Sequence, residues 1–435
     1  MKLKLTTWIL IGMGAGIAVG YYCHARFPDA QEAKAVAGYF SIITDLFLRL
    51  IKMIVAPLVL STLVVGVAKM GNLGDVGRIG AKTLGWFFGA SFVSLALGAV
   101  LANWWQPGVG LNLPLPDASA SSGLKTSSLS LKEFVTHLVP RSIFEALANN
   151  EILQIVVFAG FFSIAIASIG QPAEGVVQFL DQVAHIMLKV TGYVMNLAPL
   201  AVFAAMASII TTQGLGVLVT YGTFMGEFYL GLLLLWALLA AAGLLVIGPR
   251  VLNLLKLLRA PMLLAFSTAS SEAAYPKTLE QLERFGVPNK IGSFVLPMGY
   301  SFNLDGSMMY CTFASLFIAQ AYGIELSVGQ QLTMLMILML TSKGMAGVPR
   351  ASLVVIAATL SQFNVPEAGL LLIMGVDQFL DMGRSVTNVV GNGIATSVVA
   401  KWEGELGAER SEEVPAEALL DAETQPADGN ARQVA

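Results

Sequence analysis

Long apolar stretches recur along most of the chain. Segments with little or no charge occupy residues 5–22, 53–68 with an amphipathic run-in from 37, 84–104, 152–170, 190–212 and 229–247. A bilayer is crossed by roughly 20 predominantly apolar residues in α-helical form. The pattern therefore predicts six membrane spans in this part of the chain.

The pattern changes in the last part of the chain, where the apolar stretches are shorter. Serine, glycine, proline and charged residues interrupt them at 266–277, 303–307, 343–352 and 377–392. Within a membrane, such interruptions are tolerated only where the backbone is buried in protein or lines a cavity. We therefore expect broken helices that surround a polar site.

The positions of lysine and arginine predict the orientation of these segments. Basic residues before the first span, after the second and after the sixth all lie on one side if both termini are cytoplasmic. Segment 260–276 must then enter and leave from the cytoplasm, and segment 332–365 from the opposite side, as re-entrant hairpins do. Two hairpins of opposite orientation, each followed by a broken helix, form inverted repeats, which are typical of secondary transporters.

Composition agrees with an intramembrane protein. Of the 435 residues, 56% are hydrophobic and only 12% are charged, whereas a soluble domain has about 25% charged residues. The net charge of −3, without a basic patch, excludes nucleic acid as a partner. Cys23 and Cys311 are predicted to be free thiols, and we expect no cofactor and no firm metal site. A polar extracytoplasmic loop at 105–150 and a disordered, acidic cytoplasmic tail at 403–435 complete the prediction.

The most informative polar stretch lies in the last span. At about 100° per residue, five polar side chains fall within an arc of roughly 80° of one helix. They are Asp377, Asp381, Arg384, Asn388 and Asn392. Each charge at the centre of a membrane helix costs about 2.5–3.5 kcal/mol, so the three charges need compensation. An ion pair between Asp381 and Arg384 is the purely structural interpretation, but it leaves the other three side chains unexplained, and we favour a ligand site.

The residues of this stripe suit an acidic amino acid. The planar guanidinium group of Arg384 matches a carboxylate. Asp381, one turn away, can accept an ammonium group, which a plain dicarboxylate does not have. Asn388 both donates and accepts hydrogen bonds, which suits the carboxylate and amine of such a substrate.

The other three interrupted segments add candidate residues. Ser270 and Ser271 lie at the predicted tip of the first hairpin, where hydroxyl groups and free backbone amides suit an anion. The glycine-rich segment 343–352 is predicted to form the second tip and to act as a gate. The stretch 303–307 places an amide and a carboxylate in mid-span, where oxygen atoms on unwound backbone suit a monovalent cation.

These four segments, in this order, resemble those of the dicarboxylate/amino acid:cation symporter family, and within it the bacterial proton-glutamate symporters. The resemblance covers about residues 1–402 and implies eight transmembrane helices with two re-entrant helical hairpins. It also implies a homotrimer surrounded by lipid in the cytoplasmic (inner) membrane, with elevator-type alternating access. The implied scaffold lies mainly at 37–70 and 150–215, and the implied transport core mainly at 80–105 and 217–402.

By motif match, the resemblance assigns substrate contacts to particular residues. Arg384 is implied to hold the substrate side-chain carboxylate, and Asp381 the amino group. The remaining substrate-binding residues are expected to be Asn388, Ser270, Ser271, Ser307, Val348, Ser352 and Ser385. Family members specialised for C4-dicarboxylates lack an acid at the position of Asp381, which favours glutamate or aspartate.

The chain departs from the sodium-dependent members of the family at their cation ligands. Those members carry an acid where this chain has Asn392, and hydroxyl-bearing residues where it has Phe87 and Ala90, although Ser91 is retained. The proton-coupled relatives resemble this chain in having asparagine at the position of Asn392 and glutamate at that of Glu272, so we predict proton coupling. Glu272 is the candidate proton carrier, because a buried carboxyl group can hold a proton near neutral pH, and Asp381 and Asp377 are the alternatives. The expected coupling residues are Glu272, Asn303, Asp305, Asp377, Asn392 and Ser91, with a residual sodium site at Asn303, Asp305 and Asn388 as the alternative.

Two further departures affect the hairpin tips, because the arginine of the family's first hairpin is missing at Ala269 and Arg350 replaces a small residue of the second. A proton-coupled C4-dicarboxylate symporter and a sodium-coupled acidic amino acid symporter stay open as alternatives. An anion channel is the alternative from another class, but a channel does not need two lids. The sequence shows no nucleophile paired with a base, so we do not expect an enzyme.

Overall fold

The computed structural model describes residues 5–70, 73–109, 136, 139–215, 221–342, 351–374 and 376–409. These residues form seventeen α-helices and three short 3-10 helices, with no β-strand in the described ranges. The all-helical class predicted from the apolar pattern is confirmed. Both cysteines, Cys23 and Cys311, are buried free thiols, as predicted.

The helices of the first half are long and apolar. They are α1 Leu5–Arg26, α2 Ala30–Met70, α3 Leu73–Trp105, α4 Ile143–Ala148, α5 Ile152–Ile169, α6 Glu174–Met195, α7 Ala198–Gln213 and α8 Gly222–Ile247. Those of the second half are shorter, except for the last. They are α9 Arg250–Leu257, α10 Arg259–Thr268, α11 Tyr275–Phe285, α12 Asn289–Phe302, α13 Asp305–Ala321, α14 Val328–Thr341, α15 Ala351–Gln362, α16 Leu370–Met374 and α17 Asp377–Trp402.

Within the described residues, five helices are long and apolar enough to cross a membrane, and two bent pairs raise this number to as many as seven. One pair is α6 with α7, bent by 52°, and the other is α9 with α10, bent by 47°. The first bend lies inside the predicted span 190–212, so the helix over this range is broken and the prediction of one continuous helix was wrong. Pro199 explains the break, because proline is accepted in the first turn of a helix but not in its interior. The predicted eight spans and two re-entrant hairpins stay predictions.

Helix contacts fall into two groups. In the first group, α1 packs along α7, and α2 packs on α5, α6 and α7. In the second group, α3 packs along α13, and α17 is surrounded by α8, α10, α12 and α13. The main contact between the groups is that of α12 with α2. The predicted division into a scaffold and a transport core stays a prediction.

Glycine brings α1 and α7 close together. A Cβ atom at Gly16 would collide with the carbonyl oxygen of Phe203, and one at Gly20 would lie 2.8 Å from that of Ala207. Small residues at this spacing allow the backbones of membrane helices to approach closely. The two helices therefore form one packed unit.

The chain does not leave the protein at the end of α17. The carboxylate of Glu403, whose side chain is only 1% exposed, lies 2.7 Å from the side-chain nitrogens of both Arg78 and Lys82 on α3. The pKa of the Glu403 carboxyl lies below its usual value, because hydrogen bonds from Arg78 and then Lys82 stabilise the charged form. Trp402 packs edge-on against Trp86, with ring centroids 5.7 Å apart.

The next residues continue across the same face. Glu405 pairs with Lys290 at 2.6 Å, and the backbone N–H of Gly407 donates to the carbonyl oxygen of Gly286 at 2.8 Å. Residues 403–409, which we call the C-terminal strap, are therefore fastened to α3 and to both ends of the α11–α12 connection. The prediction of a disordered tail from residue 403 was wrong for residues 403–409, because their acidic side chains pair with basic residues. Residues 410–435 lie outside the described ranges.

Candidate functional site

The polar stripe predicted in the last span lies on α17 and is enclosed by protein. All five of its side chains are buried, and those of Asp377 and Arg384 have no exposed surface. Four helices surround α17, so the stripe does not face lipid. Ionised side chains inside membranes are found in such settings, where other protein groups stabilise their charge.

Two carboxylates hold the guanidinium group of Arg384. Its Nη2 atom lies 2.9 Å from Oδ1 of Asp381 and 3.2 Å from Oδ1 of Asp377. The ring centroid of Tyr310, on α13, lies 4.1 Å from Cζ of Arg384, and the Tyr310 hydroxyl group donates to Oδ1 of Asp377 at 3.1 Å. The ion pair that the sequence offered as a structural interpretation is therefore present, and it is part of a larger cluster.

This cluster does not use all the hydrogen-bonding capacity of its charged groups. The Nε and Nη1 atoms of Arg384 and the Oδ2 atom of Asp377 have no hydrogen-bond partner among the described residues. A buried polar group without a partner costs about 1–3 kcal/mol, and more if it is charged. A substrate carboxylate at Arg384 would remove part of this cost. The arrangement is that of an anion-binding group held in place by neighbouring acids.

The tip of the first predicted hairpin lies against this cluster. Ala269 ends α10 in the left-handed conformation, with φ +49°, and packs with Met382, next to Asp381 on α17. Ser270 and Ser271 follow and are buried, and the hydroxyl oxygen of Ser270 accepts a hydrogen bond from the backbone N–H of Ala273 at 3.3 Å. A left-handed residue other than glycine costs about 1–3 kcal/mol, so the surrounding contacts must fix this tip.

A second cluster forms where α12 breaks and α13 begins. Nδ2 of Asn303 donates to Oδ2 of Asp305 at 3.0 Å and to Oδ1 of Asn392 at 3.1 Å. Ser94, on α3, donates to Oδ1 of Asp305 at 3.3 Å. Oδ1 of Asn303 and Nδ2 of Asn392 have no partner in the part of the chain that the structure describes. Several oxygen atoms and one carboxylate thus meet on interrupted backbone, as in a site for a monovalent cation.

Asn388 joins the two clusters. Its Oδ1 atom accepts a hydrogen bond from the backbone N–H of Gly306 at 3.0 Å, and its Nδ2 atom donates to the hydroxyl group of Ser307 at 3.3 Å. A Cβ atom at Gly306 would lie 2.6 Å from the carbonyl oxygen of Arg384. Glycine is therefore required for α13 to approach α17 this closely. Asn388 therefore contacts residues of both predicted sites, the substrate site and the cation site.

The remaining predicted site residues that the structure describes lie in or near the same region. Ser352, at the start of α15, lies beside Cys311 of α13, and Ser385 is buried on α17. The hydroxyl group of Ser91 donates to the carbonyl oxygen of Phe302 at 3.3 Å, which ties α3 to the end of α12. Glu272 is half-buried behind the first tip. Val348 and Arg350 lie outside the described residues.

Sequence reasoning missed several residues that hold this site in place. Tyr310 was missed, although it lies in mid-span three residues after the predicted Ser307. Ser94 was missed, although it lies one helical turn after Ser91. Trp236 of α8 donates to the hydroxyl oxygen of Thr387 at 2.9 Å, and no spacing in the sequence pointed to this contact.

The chain is similar over most of its length to known transport proteins. Residues 5–402 match the Sodium:dicarboxylate symporter family. The chain is 40% identical to the proton/sodium-glutamate symport protein of Bacillus caldotenax, over 96% of this chain and 98% of the relative. It is 39% identical to the C4-dicarboxylate transport protein of Citrifermentans bemidjiense, over 93% of this chain and 92% of the relative. It is 38% identical to the proton/glutamate-aspartate symporter of Bacillus subtilis, over 93% and 96%.

These relatives are transporters that carry their solutes across membranes, and none of them is named as an enzyme. The apolar helices identify an integral membrane protein, and the match covers the whole helical body together with the four interrupted segments. The chain therefore belongs to the sodium:dicarboxylate symporter family.

Proposed function

We propose that the protein imports glutamate or aspartate together with protons, by elevator-type alternating access. The observation that carries this proposal is the guanidinium group of Arg384, buried without exposed surface, paired with two carboxylates and still possessing donors that no described residue uses. Such donors bind a carboxylate. The protein is proposed to act as a homotrimer in the cytoplasmic membrane, with both termini cytoplasmic.

Asp381 supports an amino acid as the substrate. Its side chain is 10% exposed, whereas those of Asp377 and Arg384 have no exposed surface. Asp381 is therefore the acid of the cluster that a ligand reaches most easily, and it is suited to an ammonium group. The relatives named for glutamate and for C4-dicarboxylates are almost equally similar, at 40% and 39% identity, so overall similarity does not favour either substrate.

The side chains of the second cluster support proton coupling. In this cluster Asn303 donates to both Asp305 and Asn392, so the Asp305 carboxylate is accompanied by amides, and an amide neutralises a cation less well than a carboxylate does. Glu272 lies at the first tip and is proposed to carry the proton. The relative from Bacillus caldotenax is named for both protons and sodium, which makes sodium coupling the main alternative.

Uptake by the purified protein in proteoliposomes tests both parts of the proposal. Labelled glutamate, aspartate, succinate and malate are offered separately, with either a pH gradient or a sodium gradient imposed. We expect the two amino acids to be taken up faster than the dicarboxylates, and the pH gradient to drive uptake without sodium. Faster uptake of succinate than of both amino acids would overturn the substrate, and sodium dependence without any response to pH would overturn the coupling ion.

A further inference from the structure

Helix α8 contacts α17 on the side of α17 that faces away from the polar stripe. Phe379, Gly383 and Thr387 occupy every fourth position of α17, and they lie roughly 140° around the helix from the stripe. Tyr229 and Trp236 of α8, about two helical turns apart, reach the two ends of this row. We call these five residues the α8–α17 contact.

Two side-chain hydrogen bonds join the helices at the ends of this contact. The hydroxyl group of Tyr229 donates to the carbonyl oxygen of Phe379 at 2.6 Å, and Nε1 of Trp236 donates to Oγ1 of Thr387 at 2.9 Å. The Thr387 hydroxyl group in turn donates to the carbonyl oxygen of Gly383 at 2.9 Å. Because this hydroxyl group both accepts and donates, its orientation is fixed.

Between the two hydrogen bonds, the helices touch directly. A Cβ atom at Gly383 would lie 2.8 Å from Cε1 of Tyr229 and 2.8 Å from Cδ1 of Leu232. Glycine is therefore required for α8 and α17 to approach this closely. Together with the hydrogen bonds, this approach leaves little room for α17 to rotate or slide against α8.

The contact lies directly behind the proposed substrate residues. Asp381 and Arg384 fall between its first and last positions on α17, and Asn388 follows Thr387 directly. On α13, a Cβ atom at Gly306 would lie 2.8 Å from Cβ of Thr387, and the backbone N–H of Gly306 donates to Asn388. Thr387 is therefore held between α8 on one side and the hydrogen bond of Asn388 on the other.

Stability is a weak explanation for the two hydrogen-bond donors of α8. Hydrogen bonds between membrane helices contribute little stability on average, and phenylalanine would provide an apolar ring at either position. Position matters far more at a binding site, where a displacement of about 1 Å can cost roughly 100-fold in activity. The two donors are better explained by the placement of α17 than by its stability.

We propose that Tyr229 and Trp236 are positioning residues for the substrate site. Their hydrogen bonds hold α17 at one rotation and one height, at which Arg384 and Asp381 face the substrate together. Neither aromatic side chain touches the substrate in this role. The role rests on the proposed function, in which the stripe on α17 binds the substrate.

Variants reconstituted into proteoliposomes test this role. Tyr229→Phe and Trp236→Phe each remove one donor, and Thr387→Val removes the acceptor of Trp236 while nearly keeping its shape. Thr387→Ser keeps the hydroxyl group and is the conservative variant. Thr191→Val is the matched control, because Thr191 of α6 is buried and donates to a carbonyl oxygen of its own helix at 2.8 Å, as Thr387 does.

Three quantities are measured for each variant: the KM and the maximal rate of uptake, and the melting temperature of the purified protein. We expect Trp236→Phe and Thr387→Val to raise KM at least about tenfold, and Tyr229→Phe at least about threefold, because the substrate groups are displaced. The maximal rate should stay within about threefold, as expected when binding alone is weakened. Thr387→Ser and Thr191→Val should keep the wild-type KM.

Three results would overturn the positioning role. The first is a wild-type KM in both Trp236→Phe and Thr387→Val. The second is an equal rise of KM in Thr387→Val and Thr387→Ser, which would assign the effect to side-chain shape instead of the hydrogen bond. The third is a lower melting temperature with an unchanged KM, which would assign the contact to folding alone.

The proposed function is tested separately. Uptake is measured with the acidic substrate that the wild type carries fastest, so faster uptake of succinate than of glutamate would overturn the proposed substrate but not the positioning role. Wild-type uptake by Arg384→Ala would remove the stripe from the substrate site, and the positioning role with it.

Discussion

Two groups of ion pairs in the protein, one in the C-terminal strap and one in the stripe on α17, are built in contrasting ways. In the C-terminal strap, one carboxylate, Glu403, is paired with two cations, and both of its oxygen atoms are used. In the stripe on α17, one cation, Arg384, is paired with two acids through a single nitrogen, and its Nε and Nη1 atoms have no partner among the described residues. The saturated pairing joins parts of the fold, whereas the incomplete, buried one is the proposed substrate site.

The largest effect is expected from removing the cation of the incomplete cluster. Arg384→Ala should lower glutamate uptake at least 100-fold, because two buried carboxylates then repel the substrate instead of flanking a cation. Uptake into proteoliposomes measures this loss. Arg49→Ala, on α2, is a control that removes an arginine outside the cluster. Uptake by Arg384→Ala at the rate of this control would exclude Arg384 from the substrate site.

The second effect separates amino acids from dicarboxylates. Asp381→Ser should lower glutamate uptake about tenfold more than succinate uptake, because only the amino acid has an ammonium group for this carboxylate. Competition of both substrates against labelled glutamate provides the measurement. Equal losses for the two substrates would assign Asp381 to the support of Arg384 alone.

A third effect concerns the coupling ion. Asn392→Asp adds a carboxylate beside Asn303 and Asp305, so sodium should stimulate uptake several-fold more in this variant than in the wild type. Sodium titrations at constant pH give the comparison, and Asn392→Ser, which adds no charge, is the matched control. The same sodium response in both variants would disconnect the second cluster from cation binding.

The smallest effect is expected at the saturated cluster. Ending the chain after Trp402 should lower the melting temperature by a few degrees relative to a chain ending after Glu409, because ion pairs whose cations are partly exposed, as Arg78 and Lys82 are, contribute little individually. The pKa of Glu403 is lowered in the folded protein, so its contribution is complete above the ordinary glutamate pKa of about 4.3 and is lost at lower pH.

Thermal unfolding of the two chain lengths between pH 7 and pH 3 measures this contribution. The difference between them should persist down to about pH 5 and shrink below about pH 4. A difference that is independent of pH would assign the strap's effect to its backbone contact with Gly286 rather than to Glu403. The two lengths should not differ in the ratio of glutamate to succinate uptake.

The sequence was most informative where one helix carries all the relevant side chains. The stripe on α17 was predicted because charges in an apolar span are costly and their spacing places them on one face. Tyr310 and Ser94 were not predicted, because they reach the site from other helices, and such long-range contacts leave no periodic pattern. The bend between α6 and α7 was missed because Pro199 carries no charge and does not interrupt an uncharged run.

The strap was missed for a different reason. Acidic and apolar-poor composition after Trp402 describes an average property of residues 403–435, whereas the contacts of Glu403 and Glu405 depend on individual basic partners far away in the sequence. Composition therefore failed for residues 403–409.

The C-terminal strap also provides a fixed attachment point for a spectroscopic label. Residues 403–409 are fastened to α3 and α12. A spectroscopic label attached at Glu409 therefore reports the position of the helices around α17 rather than independent motion of the C-terminal segment. Paired with a second label on α2, it turns the question of which helix group travels during transport into a distance that can be followed over time.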